Sequence, residues 1–218
     1  EFLSRLSEAK DLKTLANNLV IFSEDALEKE LARLISDAQD APLEILENSL
    51  QEAYFIKAQE YLSKANNNAR IILDYLSLQI DFLNILSVLK KISQVSASIN
   101  FIAGGRLSEA FLKDLITLKS IEDALKRFEH SCYPWIAEEG LNFYKRNLRL
   151  SSIERLLKKK LFSFASNLYI SGDPLSIGIP LAFINFKENE ISNLRFISKA
   201  IQFEMPEDVV REEIFFAG

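Results

Sequence analysis

The sequence predicts an all-α fold, on three observations. Breakers are scarce: 6 Gly and 5 Pro in 218 residues, where average usage would give about 15 and about 11. Apolar residues make up 48% of the chain and recur at spacings of three and four, the period of a helix face. No segment alternates apolar and polar residues with β-branched enrichment, the pattern of a half-buried strand. A chain of this length buries roughly 70% of the surface its unfolded form exposes, and needs no disulfide or metal to staple it.

The elements follow in order. Residues 7–19 read as a short helix, and Ser23 caps a second over 24–38, where Leu27, Leu31, Leu34 and Ile35 form the stripe. Ala41-Pro42 breaks it, and Pro42 suits the first turn of a helix over about 42–64. Asn66-Asn67-Asn68 is either a turn or the polar flank of one continuous element. Ile71, Tyr75, Leu78, Phe82, Ile85 and Leu89 then keep a strict helical stripe. Leu73, Leu76, Ile80, Leu83 and Val88 widen it until most of the circumference is apolar. Such a helix must be wrapped by neighbours, so it is expected at the centre.

Gln94 to Arg106 is a loop ending in Gly104-Gly105. Ser108 caps a short helix with Phe111, Leu112 and Leu115, and Ser120 with Asp123 opens another over 121–127 as a near-capping-box. Residues 133–147 read as one amphipathic helix. Ser151 with Glu154 is a capping box for a helix carrying Ile153, Leu156, Leu157, Leu161, Phe164 and Ala165. Ser171-Gly172-Asp173-Pro174 is a turn. A long helix runs from about Ser176 to Gln202, with Pro180 tolerated only near its first turn, and Pro206 begins a last one over 206–214.

An internal repeat links two of these helices. Asp81-x-x-Asn84-Ile85-x-x-Val88-x-Lys90 aligns with Glu190-x-x-Asn193-Leu194-x-x-Ile197-x-Lys199, and each copy is followed by a loop and a short helix. The expected organisation is a helical module over 41–130 and a C-terminal module over 131–218. Residues 1–40 would be the remnant or end of an N-terminal module.

Composition narrows the function classes. One His and one Cys make no zinc finger, iron–sulfur site or disulfide scaffold. His130, Ser131 and Cys132 are consecutive and build no nucleophile–base geometry, and no GxSxG elbow occurs. Cys132 reads as an inert core or boundary thiol, and a single unpaired Cys fits a reducing compartment. The formal net charge is −5, which argues against a nucleic-acid partner. The one dense basic run, Lys158-Lys159-Lys160 with Arg155 before it, lies among Leu156, Leu157, Leu161 and Phe162 and reads as the wet face of a helix. No uninterrupted run of 18 apolar residues occurs, so no membrane span is expected. The chain opens Glu1-Phe2-Leu3 with no signal-peptide pattern. Without a Met, it is expected to begin inside a longer protein.

Two polar clusters are candidates for chemistry. Asp74, Asp81 and Asn84 share one side of the central helix. They would tether other segments, or hold an ion as in a divalent-metal carboxylate enzyme. Glu188, Glu190, Asn193 and Arg195 form the second cluster. Glu188 and Glu190 point roughly 200° apart on a helix, so they make no catalytic carboxylate pair and are expected in core tethering or a partner-facing patch. Gly104-Gly105-Arg106 lacks the Lys-Ser/Thr ending of a phosphate cradle, and its glycines are expected to serve a positive φ. No catalytic residue, metal, cofactor or small-molecule substrate is expected.

One stretch carries a resemblance. Phe186-Lys187-Glu188-Asn189-Glu190-Ile191-Ser192-Asn193-Leu194-Arg195-Phe196-Ile197, followed by Met205-Pro206-Glu207, resembles the signature of the C/d-subunit family of V-type and A-type ATPases. Ile80-Asp81-Phe82-Leu83-Asn84-Ile85 and Ile102-Ala103-Gly104-Gly105-Arg106-Leu107 add to it, so the resemblance covers about 25–214. It implies a non-catalytic, all-helical protein built of three-helix-bundle-like modules arranged as a funnel. It implies a place in the central stalk, on the cytoplasmic side, peripheral to the membrane. The implied partners are the membrane rotor ring of proteolipid c/K subunits and the D- and F-type shaft subunits of a rotary proton or sodium ATPase. Asp81, Asn84, Glu188, Glu190, Asn193 and Arg195 would then tether helices, with Gly104, Gly105, Arg106, Gly172 and Asp173 as candidate interface residues. Family members carry three modules, and this chain is expected to hold about two and a fragment. A generic helical adaptor is the alternative.

Overall fold

The computed structural model describes residues 43–64, 69–94, 99 and 101–216. The helices expected at 7–19 and 24–38 and the Asn66–Asn68 segment lie outside the described residues. The fold is all-α, and the described residues contain no strand. The chain falls into two compact units, Glu1–Tyr61 and Leu62–Gly218. Of the first, the described part is one helix, α1 (Leu43–Ser63), which runs past the unit's end. It buries Phe55 and carries a Lys57–Glu60 ion pair at 2.9 Å.

The second unit is built around α2 (Ala69–Ile92). Its buried residues cover most of its circumference: Tyr75, Leu76, Leu78, Ile80, Phe82, Ile85, Val88 and Leu89, with Ile72, Gln79, Leu83 and Leu86 half-buried on the remaining side. The broad apolar pattern therefore has the consequence expected of it, a central helix wrapped by neighbours over most of its surface. The others follow as α3 (Glu109–Ile116), α4 (Ile121–Lys126), a 3₁₀ turn (Arg127–His130), a π-helical turn (Ile136–Gly140), α5 (Leu141–Asn147), α6 (Leu150–Ser171), α7 (Gly178–Gln202) and α8 (Glu207–Glu213). In the main core, Phe82, Ile85 and Leu89 of α2 meet Leu112 and Leu115 of α3, Leu125 of α4, Phe128, and Ile153 and Leu157 of α6. On its other flank α6 packs along α7.

Among the described residues, α2 alone is long and apolar enough to cross a membrane by length and composition, although no unbroken apolar run is present. Half of that window is buried inside the fold. Its Asp81 and Asn84 are buried with protein partners, so protein covers the helix on that side.

The caps separate good local signals from misleading ones. Ser108 takes extended backbone and its hydroxyl accepts the Phe111 N–H; Ser120 does the same for Asp123. The Ser120 hydroxyl also donates to the Asp123 carboxylate at 2.7 Å, and that bond, helped by Lys126, holds the carboxyl below its usual pKa. The capping box at Ser151 does not form. Leu148 enters the left-handed region (φ 51°) and Arg149 is extended, so α6 starts at Leu150 and Ser151 lies inside its first turn. The early start seats Leu150 against the core, which outweighs one side-chain cap. Ser108→Ala is expected to cost about 1 kcal/mol and Ser151→Ala less than about 0.5 kcal/mol, read from urea unfolding.

The single helix expected at 133–147 is also revised. A turn at Tyr133–Pro134 leads into the π turn before α5 begins. Cys132 lies exposed on that turn, not in the core. Lys158 and Lys159 face water, while Lys160 is half-buried over the Trp135 ring and pairs with Glu139 at 2.6 Å.

Candidate functional site

Asp74, Ser77, Asp81 and Asn84 follow one another at three, four and three residues along α2, which places them on one side. All four bind the segment 102–107. The Asn84 amide accepts the Ile102 N–H at 3.0 Å and donates to the Ile102 carbonyl at 2.9 Å, closing a two-bond ring on one residue. Asp81 takes the next turn of the loop. Its Oδ2 accepts the Arg106 N–H at 2.8 Å and its Oδ1 the Leu107 N–H at 3.0 Å. The Ser77 hydroxyl donates to the Gly104 carbonyl at 2.9 Å, and Asp74 pairs with the Arg106 guanidinium at 3.1 Å.

Asp81 is completely buried, and a third donor reaches it: the Tyr133 hydroxyl, 2.5 Å from Oδ2. A buried carboxylate needs such partners to stay charged. Gly104 has φ 100°, the backbone its residue type permits. Gly105 serves a different purpose, since a Cβ there would fall on the Asp81 carboxylate. The double glycine is therefore one residue for the turn and one for close approach. With both oxygens committed to three donors, Asp81 has little left for a metal. Among the described residues no three of His, Cys, Asp and Glu gather as a metal-holding group.

Burial, and then the bond to Asp81, push the Tyr133 phenol well above its usual pKa. The folded state therefore keeps a proton that the unfolded chain releases above about pH 10. Its contribution to stability is complete below that pH and declines as pH rises. Tyr133→Phe is expected to make the loss of stability above pH ~10 shallower, measured by urea titration across that range. Asn84→Ala strands one buried N–H and one C=O, and should lower unfolding free energy by about 2 kcal/mol.

The second polar cluster lies on α7, where Asn185, Asn189 and Asn193 recur every four residues. Asn185 accepts the Tyr75 hydroxyl at 2.5 Å and joins α7 to α2. Asn189 and Asn193 both donate to the Phe215 carbonyl, at 2.7 and 2.9 Å. Asn193 is buried, whereas Glu188, Glu190 and Arg195 are exposed, with Glu190 paired to Lys187 at 2.7 Å. The structure thus brings Asp81 and Asn84 together on one loop but does not gather the four α7 residues. Asn185 and Asn189, missed by sequence reasoning, had a signal in their four-residue spacing with Asn193. The two repeats meet in one respect: Asn84 and Asn193 are each buried and each donate to a main-chain carbonyl further along the chain, Asn84 in the loop after α2 and Asn193 beyond α8. Among the interface candidates Gly104, Arg106 and Asp173 are exposed, and Gly105 and Gly172 half-buried. The Asp173 carboxylate accepts the Leu175 N–H at 2.9 Å.

Comparison with known proteins gives a consistent result. Residues 1–213 match the ATP synthase (C/AC39) subunit family. The A-type ATP synthase C subunit of Pyrococcus abyssi is 23% identical over 98% of this chain and 58% of its own length. That of Halobacterium salinarum is 26% identical over 98% of this chain and 61% of its own. The Thermococcus kodakarensis protein is 26% identical over 96% and 57%. The chain thus spans about three-fifths of the length of these relatives. With nearly the whole chain inside one family match, and the loop-binding Asp81 and Asn84 within it, this protein belongs to the ATP synthase (C/AC39) subunit family.

Proposed function

We propose that this chain is a non-catalytic, central-stalk element of a rotary A- or V-type ATPase, passing torque between a membrane rotor ring and the central shaft. The observation that carries the reading is the family match over residues 1–213. In this reading the chain is peripheral to the membrane on its cytoplasmic side. It contacts proteolipid c/K subunits at one end and D- and F-type shaft subunits at the other. Its modules, 41–130 and 131–218 with the end of another at 1–40, form part of a funnel.

The interior supports a torque-transmitting role. A part that transmits torque must not yield internally, and α2, α6 and α7 are long helices of 24, 22 and 25 residues. Asp81 and Asn84 stiffen α2 by clamping the connecting segment 102–107 to it. Glu188, Glu190 and Arg195, exposed on α7, and Gly104, Gly105, Arg106, Gly172 and Asp173 on the loops, are the contact residues of this proposal.

The test is affinity purification of the tagged, full-length protein from its native membranes. Proteolipid and shaft subunits are expected in the eluate, and their absence alongside unrelated partners would overturn the reading. Arg106→Glu is the accompanying variant. Its exposed ion pair contributes little to folding, so a loss of ring or shaft subunits from the eluate with unchanged melting would assign this loop to the contact.

A further inference from the structure

The segment after α8 is an unusual piece of backbone. Residues 214–216 are non-helical and cross the seam between α6 and α7. Beyond Ile214, whose N–H donates to the Val210 carbonyl at 3.3 Å, the main chain is held among the described residues at one atom, the Phe215 carbonyl. Asn189 and Asn193 saturate that oxygen from below. The Phe215 ring meets Phe162 at 5.4 Å between centroids, and Phe162 in turn meets Phe186 at 5.5 Å.

This segment fills its seat poorly. On the α6 side a recess of about 170 Å³ remains, lined by Lys159, Phe162, Ser163, Ser166 and Asn167 together with Phe215 and Phe216. Ser166 lines it, and its hydroxyl, covered beneath this segment, has no hydrogen-bond partner among the described residues, a costly state for a polar group. On the α7 side a recess of about 400 Å³ runs past Phe186, Asn193, Leu194 and Ile197. Phe216, which borders both, is 70% exposed. The family match ends at residue 213, so Asn189 and Asn193 lie within it and the segment over them outside it.

We propose that residues 214–216 are a displaceable strap, and that the α6–α7 groove beneath is a docking site for an extended, aromatic-bearing segment of a partner protein. The partner's main-chain carbonyl takes the place of the Phe215 carbonyl on the two carboxamides. Its aromatic ring replaces Phe215 against Phe162, and a polar group satisfies Ser166. Two donors on one carbonyl recognise backbone and not a particular side chain, while the rings select an aromatic residue, which is the division of labour found in peptide recognition. The strap shows that the groove accepts such a segment. The unfilled recesses on either side leave room for a bulkier one. The groove would take such a segment whether or not the chain serves in a stalk.

The probe is a fluorescein-labelled peptide with the sequence of residues 213–218, and the readout is fluorescence anisotropy. Because the strap competes at high effective concentration, the full chain should bind the peptide at least about tenfold more weakly than a full-length Phe215→Gly, Phe216→Gly variant. Adding Asn189→Ala and Asn193→Ala to that variant should abolish binding. Equal binding by wild type and the strap variant, or undiminished binding without the carboxamides, overturns the proposal, with helicity by circular dichroism confirming folded protein. Carbonyl-carbon NMR on the unaltered chain serves if the variants do not fold. Excess peptide should shift the Phe215 carbonyl resonance as its two carboxamide donors are lost, and an unchanged resonance would count against displacement.

Discussion

Asp81→Leu is expected to lower the unfolding free energy by about 3–5 kcal/mol, the range for removing one partner of a buried, hydrogen-bonded charge network. Leucine keeps the branched outline, is somewhat bulkier, and accepts nothing. The Arg106 and Leu107 N–H groups and the Tyr133 hydroxyl would all lose their acceptor. The consequence is local as well as global. Freed from Asp81 at the 106–107 main chain, the loop remains held at Ile102 by Asn84, at Gly104 by Ser77 and through the exposed Arg106 side chain by Asp74. Hydrogen exchange should therefore show the Arg106 and Leu107 amides opening far more than that of Ile102. Urea unfolding gives the magnitude, and a loss below about 1 kcal/mol would mean that the carboxylate is not the acceptor described.

Gly105→Ala is expected to be the second most damaging change, at about 3 kcal/mol, the upper end of overpacking costs. The added methyl would occupy the place of the Asp81 carboxylate and press on Ile80. Neither can move freely, because Asp81 is held by three donors and Ile80 is completely buried. Gly104→Ala next door makes the useful contrast. Its cost comes from the left-handed backbone at φ 100° and should be about 1–2 kcal/mol. A double-mutant cycle separates the two explanations. Gly105→Ala in an Asp81→Ala background should cost at least about 1 kcal/mol less than in the wild type, because the colliding oxygens are gone. Gly104→Ala should cost the same in both backgrounds, and strict additivity at Gly105 would rule out the collision.

Much of the fold was legible in the residues. The α2 stripe from Ile71 to Leu89 announces its own burial, since a helix apolar all round has no face for water. Ser108 and Ser120 were readable because a cap bonds within its own first turn. Ser151 was misleading for the converse reason. The left-handed Leu148 and the core contact of Leu150 lie upstream of the motif, and together they moved the helix start past it. The π turn at Ile136–Gly140 was hidden as well, since its period differs little from that of the helix that follows.

What the sequence alone determined is the all-α class, the place of each long helix and the side of α2 on which Asp74, Asp81 and Asn84 stand. Those properties follow from hydrophobic periodicity, which accumulates locally, residue by residue, along one helix. What the tertiary structure decided is what those side chains hold. Asp81 bonds two main-chain N–H groups 25 and 26 residues away and a hydroxyl 52 residues away. Asn189 and Asn193 share a carbonyl from the far side of α8. Main-chain donors and acceptors look alike at every residue in sequence. Only the folded loop, brought against α2 by the absence of a Cβ at Gly105, determines which of them arrive within hydrogen-bonding reach.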